Sequence, residues 1–459
     1  MRKQAEEVLR AISNWHISLK QDRHNLGRCS QSLRWKGKSR SFQLLVGFLL
    51  TAAAPLSVMA QGAYPPDGPT IPIVAPNGSG YGKAIQQPPP KSPEQQSAWN
   101  MELAGHSDLQ GRSAYQPIII NQDGREIAYV GHHTGDAMNP LTGAVEPNGT
   151  SVVDVSDPAK PKYLSHIPGS AEGAPGEEGG GAQMVRVCSG SVLPHGVRGK
   201  WYLLRPNGSK SHELYDVTDP AHPSRLTLVV EGLTGTHKSW WECDTGIAYL
   251  VANAAPEGWR GGNHLKIYDL SDPAKPVYIR DFGLLGQQPG ATSHQGLAPA
   301  IGIHGPISAG VAKNRVYAAY GTGANGVIQI LDRQKLLSAF TNPQRPTTEE
   351  MLAPQVGYIV MSPDQGAHTA LPLYDVPIPG FQGHAALKKR DLLLVPSEEG
   401  RGDHCNPGPN GDRPAPHLAF LLDISVEAAL WPLATFHVPE TSGDFCGKGG
   451  RFGAHFTLS

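Results

Sequence analysis

The sequence predicts an all-β protein, a β-propeller of about six four-stranded blades (or seven) whose closing blade is incomplete at the C-terminus. Three observations predict it. A phrase of strand, Asp, turn, Pro and strand recurs as SVVDVSDPAKPKYLSHIPG (151–169), ELYDVTDPAHPSRLTLVVEG (213–232) and KIYDLSDPAKPVYIRDFG (266–283). A further strand, often carrying Tyr, precedes each copy: EIAYVG (126–131), KWYLLR (200–205) and GIAYLVA (246–252). No long helical period runs through this region. Similar antiparallel units of about 40–60 residues are propeller blades.

Within the phrase, VVDV, LYDV and IYDL are β-branched and aromatic runs of strand length. Asp154, Asp216 and Asp269 end them. An Asp side chain bonds backbone amides two residues on, and the following Pro fixes φ and removes a donor. The second proline (Pro161, Pro223, Pro276) opens the next strand at an edge, where its missing N–H costs little. Two degenerate copies follow. One is RVYAAYG (315–321), GVIQILD (326–332) and QVGYIVM (355–361); the other is DLLLVPS (391–397), HLAFLLDIS (417–425) and PLATFHVP (432–439). Asp332 and Asp423 lack the Asp-Pro turn.

Residues 101–107 (MELAGHS) have the pattern of an outermost strand with no inner strands before it. The outer-type strand thus occurs six times and the Asp-bearing strand five. The sequence given stops at GRFGAHFTLS, where a new innermost strand would begin at His455. The expectation is a propeller that stops inside its closing blade and exposes a sheet edge. A simple capping role for 101–107 is the alternative.

The matches VVDVSDPAKP (152–161), LYDVTDPAHP (214–223) and IYDLSDPAKP (267–276) resemble the LVIVD-repeat family of bacterial β-propellers. The resemblance covers the chain from about residue 100 onward. It implies the fold and says little about activity. In architecture and histidine richness, without a matching motif, the chain is also similar to the selenium-binding protein/methanethiol oxidase family. That similarity implies copper chemistry.

The segments before the propeller domain (98–459) divide by composition. Residues 1–33 have helical spacing and mixed charge, and read as an extension from a wrongly assigned start. Residues 34–60 read as a secretory signal. Arg34, Lys36, Lys38 and Arg40 precede an apolar run, and Val58-Met59-Ala60 offers small residues for cleavage before Gln61. The apolar run is short for a membrane span, which needs about 20 residues, so no stable span is expected after cleavage. Residues 61–97 are Pro-, Gly- and Gln-rich, an extended linker. Residues 1–60 hold ten of the 39 Lys/Arg and three of the 40 Asp/Glu, so the remainder carries a net charge of −8. That excludes a nucleic-acid partner, which needs clustered basic surface. The expected location is periplasmic or extracellular.

In an oxidising compartment Cys188, Cys243, Cys405 and Cys446 favour two disulfides, with three possible connectivities. Cys188–Cys243 and Cys405–Cys446 are preferred because each pair falls in consecutive units. Free buried thiols are the alternative. Asn77, Asn148 and Asn207 match the glycosylation sequon but read first as Asn-Gly turns.

Seventeen histidines follow residue 60. His237, His304, His384 and His455 each precede or open a presumed innermost strand, and His106 and His368 occupy similar places. Innermost strands line a propeller's channel, so histidines from different blades would converge at one mouth. A ring of imidazoles suits copper, zinc, iron or nickel. His132-His133 follows a second-position strand; adjacent residues on a strand point to opposite faces, so at most one would join the site. Of Trp240-Trp241, one ring would pack between blades and the other line the channel. Glu398, Glu399 and Asp403 sit in a Gly-rich stretch that reads as a solvated acidic loop.

The plain alternative is that the histidines latch one blade to the next through backbone hydrogen bonds. The metal candidates are therefore His132, His133, His237, His304, His384 and His455. The channel candidates are His106, His368, Trp240 and Trp241. The leading expectation is an exported binding or interaction propeller with an unknown protein or small-molecule ligand. A copper-type, metal-dependent oxidoreductase is the alternative, and a truncated inactive product is a third reading.

Overall fold

In the first blade a strand β1 (Pro117–Gln122) pairs with β2 (Arg125–Gly131). A hairpin of β3 (Asp136–Asn139) and β4 (Ala144–Pro147) leaves the sheet, and β5 (Thr150–Asp154) and β6 (Lys162–Ile167) complete it in the order β1-β2-β5-β6. The same antiparallel meander repeats four times. The second blade is β7 (Arg186–Ser189), β8 (Trp201–Asn207), β9 (Ser211–Asp216) and β10 (Ser224–Val230). In the third, β11 (Gly235–Thr236) and β12 (Trp240–Trp241) both pair with β13 (Ile247–Asn253), followed by β14 (His264–Asp269) and β15 (Val277–Phe282). The fourth is β16 (Ile303–Ser308), β17 (Arg315–Tyr320), β18 (Val327–Asp332) and β19 (Gln355–Val360). The fifth is β20 (Leu371–Pro377), β21 (Lys389–Pro396), β22 (Ala419–Asp423) and β23 (Trp431–Phe436). This computed structural model describes residues 103–170, 180–291, 302–321, 326–338, 340–361, 365–377, 389–398, 417–436 and 454. The architecture is the all-β, multi-blade propeller type that the repeat predicts.

The repeated aspartates perform the expected turn chemistry. Asp154, Asp216 and Asp269 accept the amide of the residue two positions on, Ser156 at 2.9 Å, Thr218 at 2.9 Å and Ser271 at 2.8 Å. The second aspartates, Asp157, Asp219 and Asp272, accept from Ala159, Ala221 and Ala274. These paired Asx turns stop the third strand and reverse the chain without a positive φ. Asp423 keeps the first turn, with Ser425 at 2.9 Å. Asp332 instead caps a one-turn helix, Arg333–Leu336, accepting from the Lys335 amide at 2.9 Å. No proline follows it to stop helix formation.

The second strands are buried on both faces. In β17 the run VYAAY is fully buried, with Val316, Ala318 and Tyr320 packing toward blade three and Tyr317 and Ala319 toward blade five. A strand sandwiched between two neighbouring sheets reads as continuous apolar sequence, without alternation. Contacts link β1 to β7, β7 to β12 and β12 to β16, so the first strands of successive blades are neighbours and form the inner ring.

Buried ions also tie blade to blade. Arg205 pairs with Glu213 at 2.7 Å and donates to the carbonyls of Ile167 and Pro168 in blade one. Glu242 in blade three pairs with Arg333 of blade four at 2.6 Å and accepts from Tyr249 at 3.0 Å.

The disulfide Cys188–Cys243 forms between blades two and three, with Cα atoms 5.3 Å apart. Cys405 and Cys446 lie outside the described residues. One strand assignment changes. Residues 103–107 form no strand; the chain there lies against the first Asp-Pro turn, so closely that a Cβ on Gly105 would meet the Pro158 carbonyl oxygen at 1.9 Å. The expected outer strand is instead a backbone cover over that turn. The described residues contain five blade sheets; the expected closing blade, the signal and the linker fall outside them. Among the described residues no helix is long and apolar enough to cross a membrane.

Candidate functional site

Two irregularities and one strand pairing bring four side chains together at the inner ring. The first irregularity is in blade three. The pairings Thr236↔Ala252 and Trp240↔Tyr249 leave three residues, His237, Lys238 and Ser239, opposite two on β13. The extra residue bulges out of the ladder, which is how a strand re-aims a side chain. The second is in β16, where the register shifts between Ile303 and Gly305, so His304 sits in the bulge. The third contribution is regular. β20 and β21 pair Leu371 with Leu394, and the His368 amide continues the ladder by donating to the Pro396 carbonyl at 3.0 Å. This pairing sets Glu398 beside His368.

The result is a compact donor cluster. The Nε2 atoms of His237 and His304 are 2.6 Å apart. One carboxylate oxygen of Glu398, Oε2, is 3.0 Å from His304 Nε2 and 3.1 Å from His368 Nε2. One ring nitrogen from each of the three histidines lies within 4.8 Å of the others. His237 and His368 are buried, and the His304 and Glu398 side chains are 14% and 12% exposed. Gly305 makes room for the approach, since a Cβ there would crowd the His368 carbonyl oxygen at 3.1 Å.

Neighbouring groups fix the protonation pattern. The Gln183 side-chain oxygen Oε1 accepts from His237 Nδ1 at 2.7 Å, which leaves the Nε2 lone pair facing His304. Burial holds the His237 pKa well below the ordinary histidine value, and the adjacent His304 and Lys238 push it the same way. A neutral imidazole is the form that ligates metal. Lys238 is itself buried, with Nζ 3.0 Å from His368 Nδ1 and also in contact with Nε2. Tyr115 links the cluster to His133, its ring 6.3 Å from that of His237 and 4.8 Å, edge-on, from that of His133.

The sequence candidates separate accordingly. His237 and His304, named as metal candidates from the sequence, lie in the cluster. His368, expected as a channel residue, is the third histidine. His384 and His455 lie outside the described residues, and the innermost strand of blade five begins at Leu371, after His368 and ahead of His384. His132 is held within blade one: its ring nitrogens meet the Ser113 carbonyl at 2.5 Å and the Ser151 hydroxyl at 2.7 Å, and burial lowers its pKa to about 3. His133 turns toward Tyr115, so the pair splits between two faces. His106 is exposed and apart from the cluster. Trp241 is buried between blades and donates to the Gly246 carbonyl, whereas Trp240 lies under the Arg186 guanidinium, 4.6 Å from its ring centre.

Glu398 belongs to the cluster and not to a solvated loop; Glu399 and Asp403 lie outside the described residues. Gln183, Lys238 and Tyr115 were not singled out by sequence. The signal for Glu398 was its place just past a second strand, the same place that His132-His133 holds after β2. Ends of second strands and starts of first strands meet at one mouth.

Neither a family model nor a curated protein sequence matches this chain. Solved structures that resemble it include Raptor from Chaetomium thermophilum, at 12% identity and TM-score 0.38 over 71% of this chain and 21% of that one. Sqt1 from the same organism matches at 13% and 0.32 over 68% and 54%. The exo-beta-1,3-galactanase 1,3Gal43A from Clostridium thermocellum matches at 11% and 0.33 over 67% and 59%. The chain thus spans less than two thirds of each of these proteins, and they identify no functional relative.

Proposed function

We propose that this chain is an exported, metal-dependent propeller that holds a transition-metal ion at its inner ring on His237, His304 and His368, with Glu398 as the carboxylate ligand. One observation carries this reading: three histidine Nε2 atoms and one carboxylate oxygen, from three consecutive blades, converge in a mostly buried space. Three imidazoles and a carboxylate suit copper, iron or zinc. With copper or iron the ion would supply oxidoreductase chemistry. The chain's own part is to hold the donors neutral, fix the His237 ring through Gln183, and keep bulk water out. Export is supported by the signal-like segment 34–60 and by the Cys188–Cys243 bridge. The recurring Asp-Pro turns support a place among the LVIVD-repeat propellers.

A competition titration against a chromogenic chelator tests the metal reading. Zinc or copper should bind the full chain, and His368→Ala should weaken binding at least about 100-fold. Equal affinity in the variant rules the site out.

A second reading, a metal-free binding propeller latched by histidines, is favoured by His212 of blade two, whose Nε2 donates to the Val251 carbonyl of blade three at 2.9 Å. Under it, alanine at the three cluster histidines lowers stability and leaves partner capture intact.

A further inference from the structure

A cavity lies at the other end of the blades. β16 and β17 pair Ile303 with Tyr320 and Ser308 with Val316, so the turn that carries Lys313 and Arg315 is at the end away from His304. There, between blades four and five, the walls enclose about 330 Å³. Pockets for small molecules begin near this size.

A bulge shapes the blade-five wall. β20 and β21 pair Leu373 with Leu392 and Val376 with Arg390, which sets Tyr374 and Asp375 together opposite Asp391. Asp375 is held at φ 55°, a left-handed backbone that few L residues adopt, and its amide donates to the Asp391 carboxylate at 2.8 Å. Strain of this kind persists where the surrounding structure enforces it, often at ligand sites. The bulge presents Tyr374 to blade four. Its hydroxyl meets that of Tyr317 at 2.8 Å, and its ring lies under Lys313 Nζ, 4.1 Å from the ring centre. Burial raises the pKa of both phenols, that of Tyr374 to about 12, so both stay hydroxyls at neutral pH.

The charges around the cavity come as pairs. Arg315 Nε donates to both carboxylate oxygens of Glu427, at 2.7 and 2.9 Å, and Lys313 Nζ lies 3.8 Å from the Asp375 carboxylate. An ionic ligand would have to compete with one member of a pair for the other. A hydroxyl competes with neither, because it donates to a carboxylate and accepts from a cation or a phenol at the same time.

We propose that this cavity binds a small, neutral, polyhydroxylated ligand of the monosaccharide class. Lys313 and the tyrosine hydroxyls would donate to its oxygens, and Asp391 and Glu427 would accept from its hydroxyls. The cavity is separate from the histidine cluster, and its ligand needs no metal.

The test is saturation-transfer NMR on the full chain with the methyl glycosides of glucose, galactose, mannose and xylose as probes. At least one should bind saturably at millimolar concentration. Lys313→Met changes an exposed side chain and should weaken that glycoside at least about tenfold, the loss of a hydrogen bond from a charged donor. Tyr374→Phe keeps the ring under Lys313, removes one hydroxyl and should weaken it about fivefold. His237→Ala/His304→Ala should bind it as the wild type does. Unchanged affinity in either cavity variant, or loss of binding in the histidine variant, overturns the assignment of the site. Failure of all four glycosides, or saturable binding of inorganic phosphate or glycine in their place, overturns the ligand class.

Discussion

Glu398 and His368 meet at 3.1 Å because β20 and β21 run antiparallel in a register that sets the residue after one strand beside the residue before the other. The acid thereby reaches a buried imidazole and also, at 3.0 Å, His304 of the preceding blade. Glu398→Gln keeps the shape and removes the charge. It should weaken metal binding about 10–100-fold, with little change in thermal stability. An affinity equal to wild type by competition titration would place Glu398 outside the coordination sphere.

Strand β7 and the bulge before β12 are clamped at three successive levels: Gln183 to His237, Arg186 to the Ser239 carbonyl, and Cys188 to Cys243. Gln183→Ala removes the level that orients the His237 ring. Metal affinity should fall about tenfold or more while the fold stays intact. Cys188→Ser/Cys243→Ser should cost about 2–4 kcal/mol of stability. Urea denaturation of the two variants distinguishes them; a large stability loss in Gln183→Ala would mean a packing role.

His212 gives a pH dependence that is independent of the site. It is buried, and burial lowers its pKa to about 4. Above pH 6.5 neither the folded nor the unfolded chain protonates it. Below that, the unfolded chain takes a proton that the folded chain refuses, so stability falls as pH drops from about 6.5 toward 4, by on the order of 3 kcal/mol for this residue. Denaturation midpoints measured across that range should decline less steeply in His212→Gln. Parallel slopes would show that this histidine does not control the decline.

Arg205 and Glu213 are buried together, each with its side chain 1% exposed. Arg205→Met strands the carboxylate and should cost about 3–5 kcal/mol, whereas Arg205→Met/Glu213→Leu should recover much of that loss. A double variant as unstable as the single would shift the cost to the lost contacts with Ile167 and Pro168.

The sequence carried the repeating parts of this molecule plainly. Strand, Asx turn and edge proline recur because every blade solves the same local problem, and the neighbouring cysteines followed from blade order. The β3–β4 hairpin was missed because it is short and mostly exposed, with no apolar alternation to announce it. β20 was hidden by Pro372 and Pro377. Both are tolerated because this innermost strand pairs, among the described residues, on one side alone. Missing β20 left His368 as a channel residue and kept His384 in its place. The geometry of the histidine cluster depends on two bulges, and a bulge is a difference in register between strands, which one strand's residues do not reveal.

The most direct measurement is metal content, by elemental mass spectrometry on the folded chain after equilibration with copper, zinc or iron. About one ion per chain is expected in the wild type and none in His237→Ala/His304→Ala, given the shared Nε2 geometry. No bound metal in the wild type with any of the three ions, or equal metal in the double variant, would contradict it.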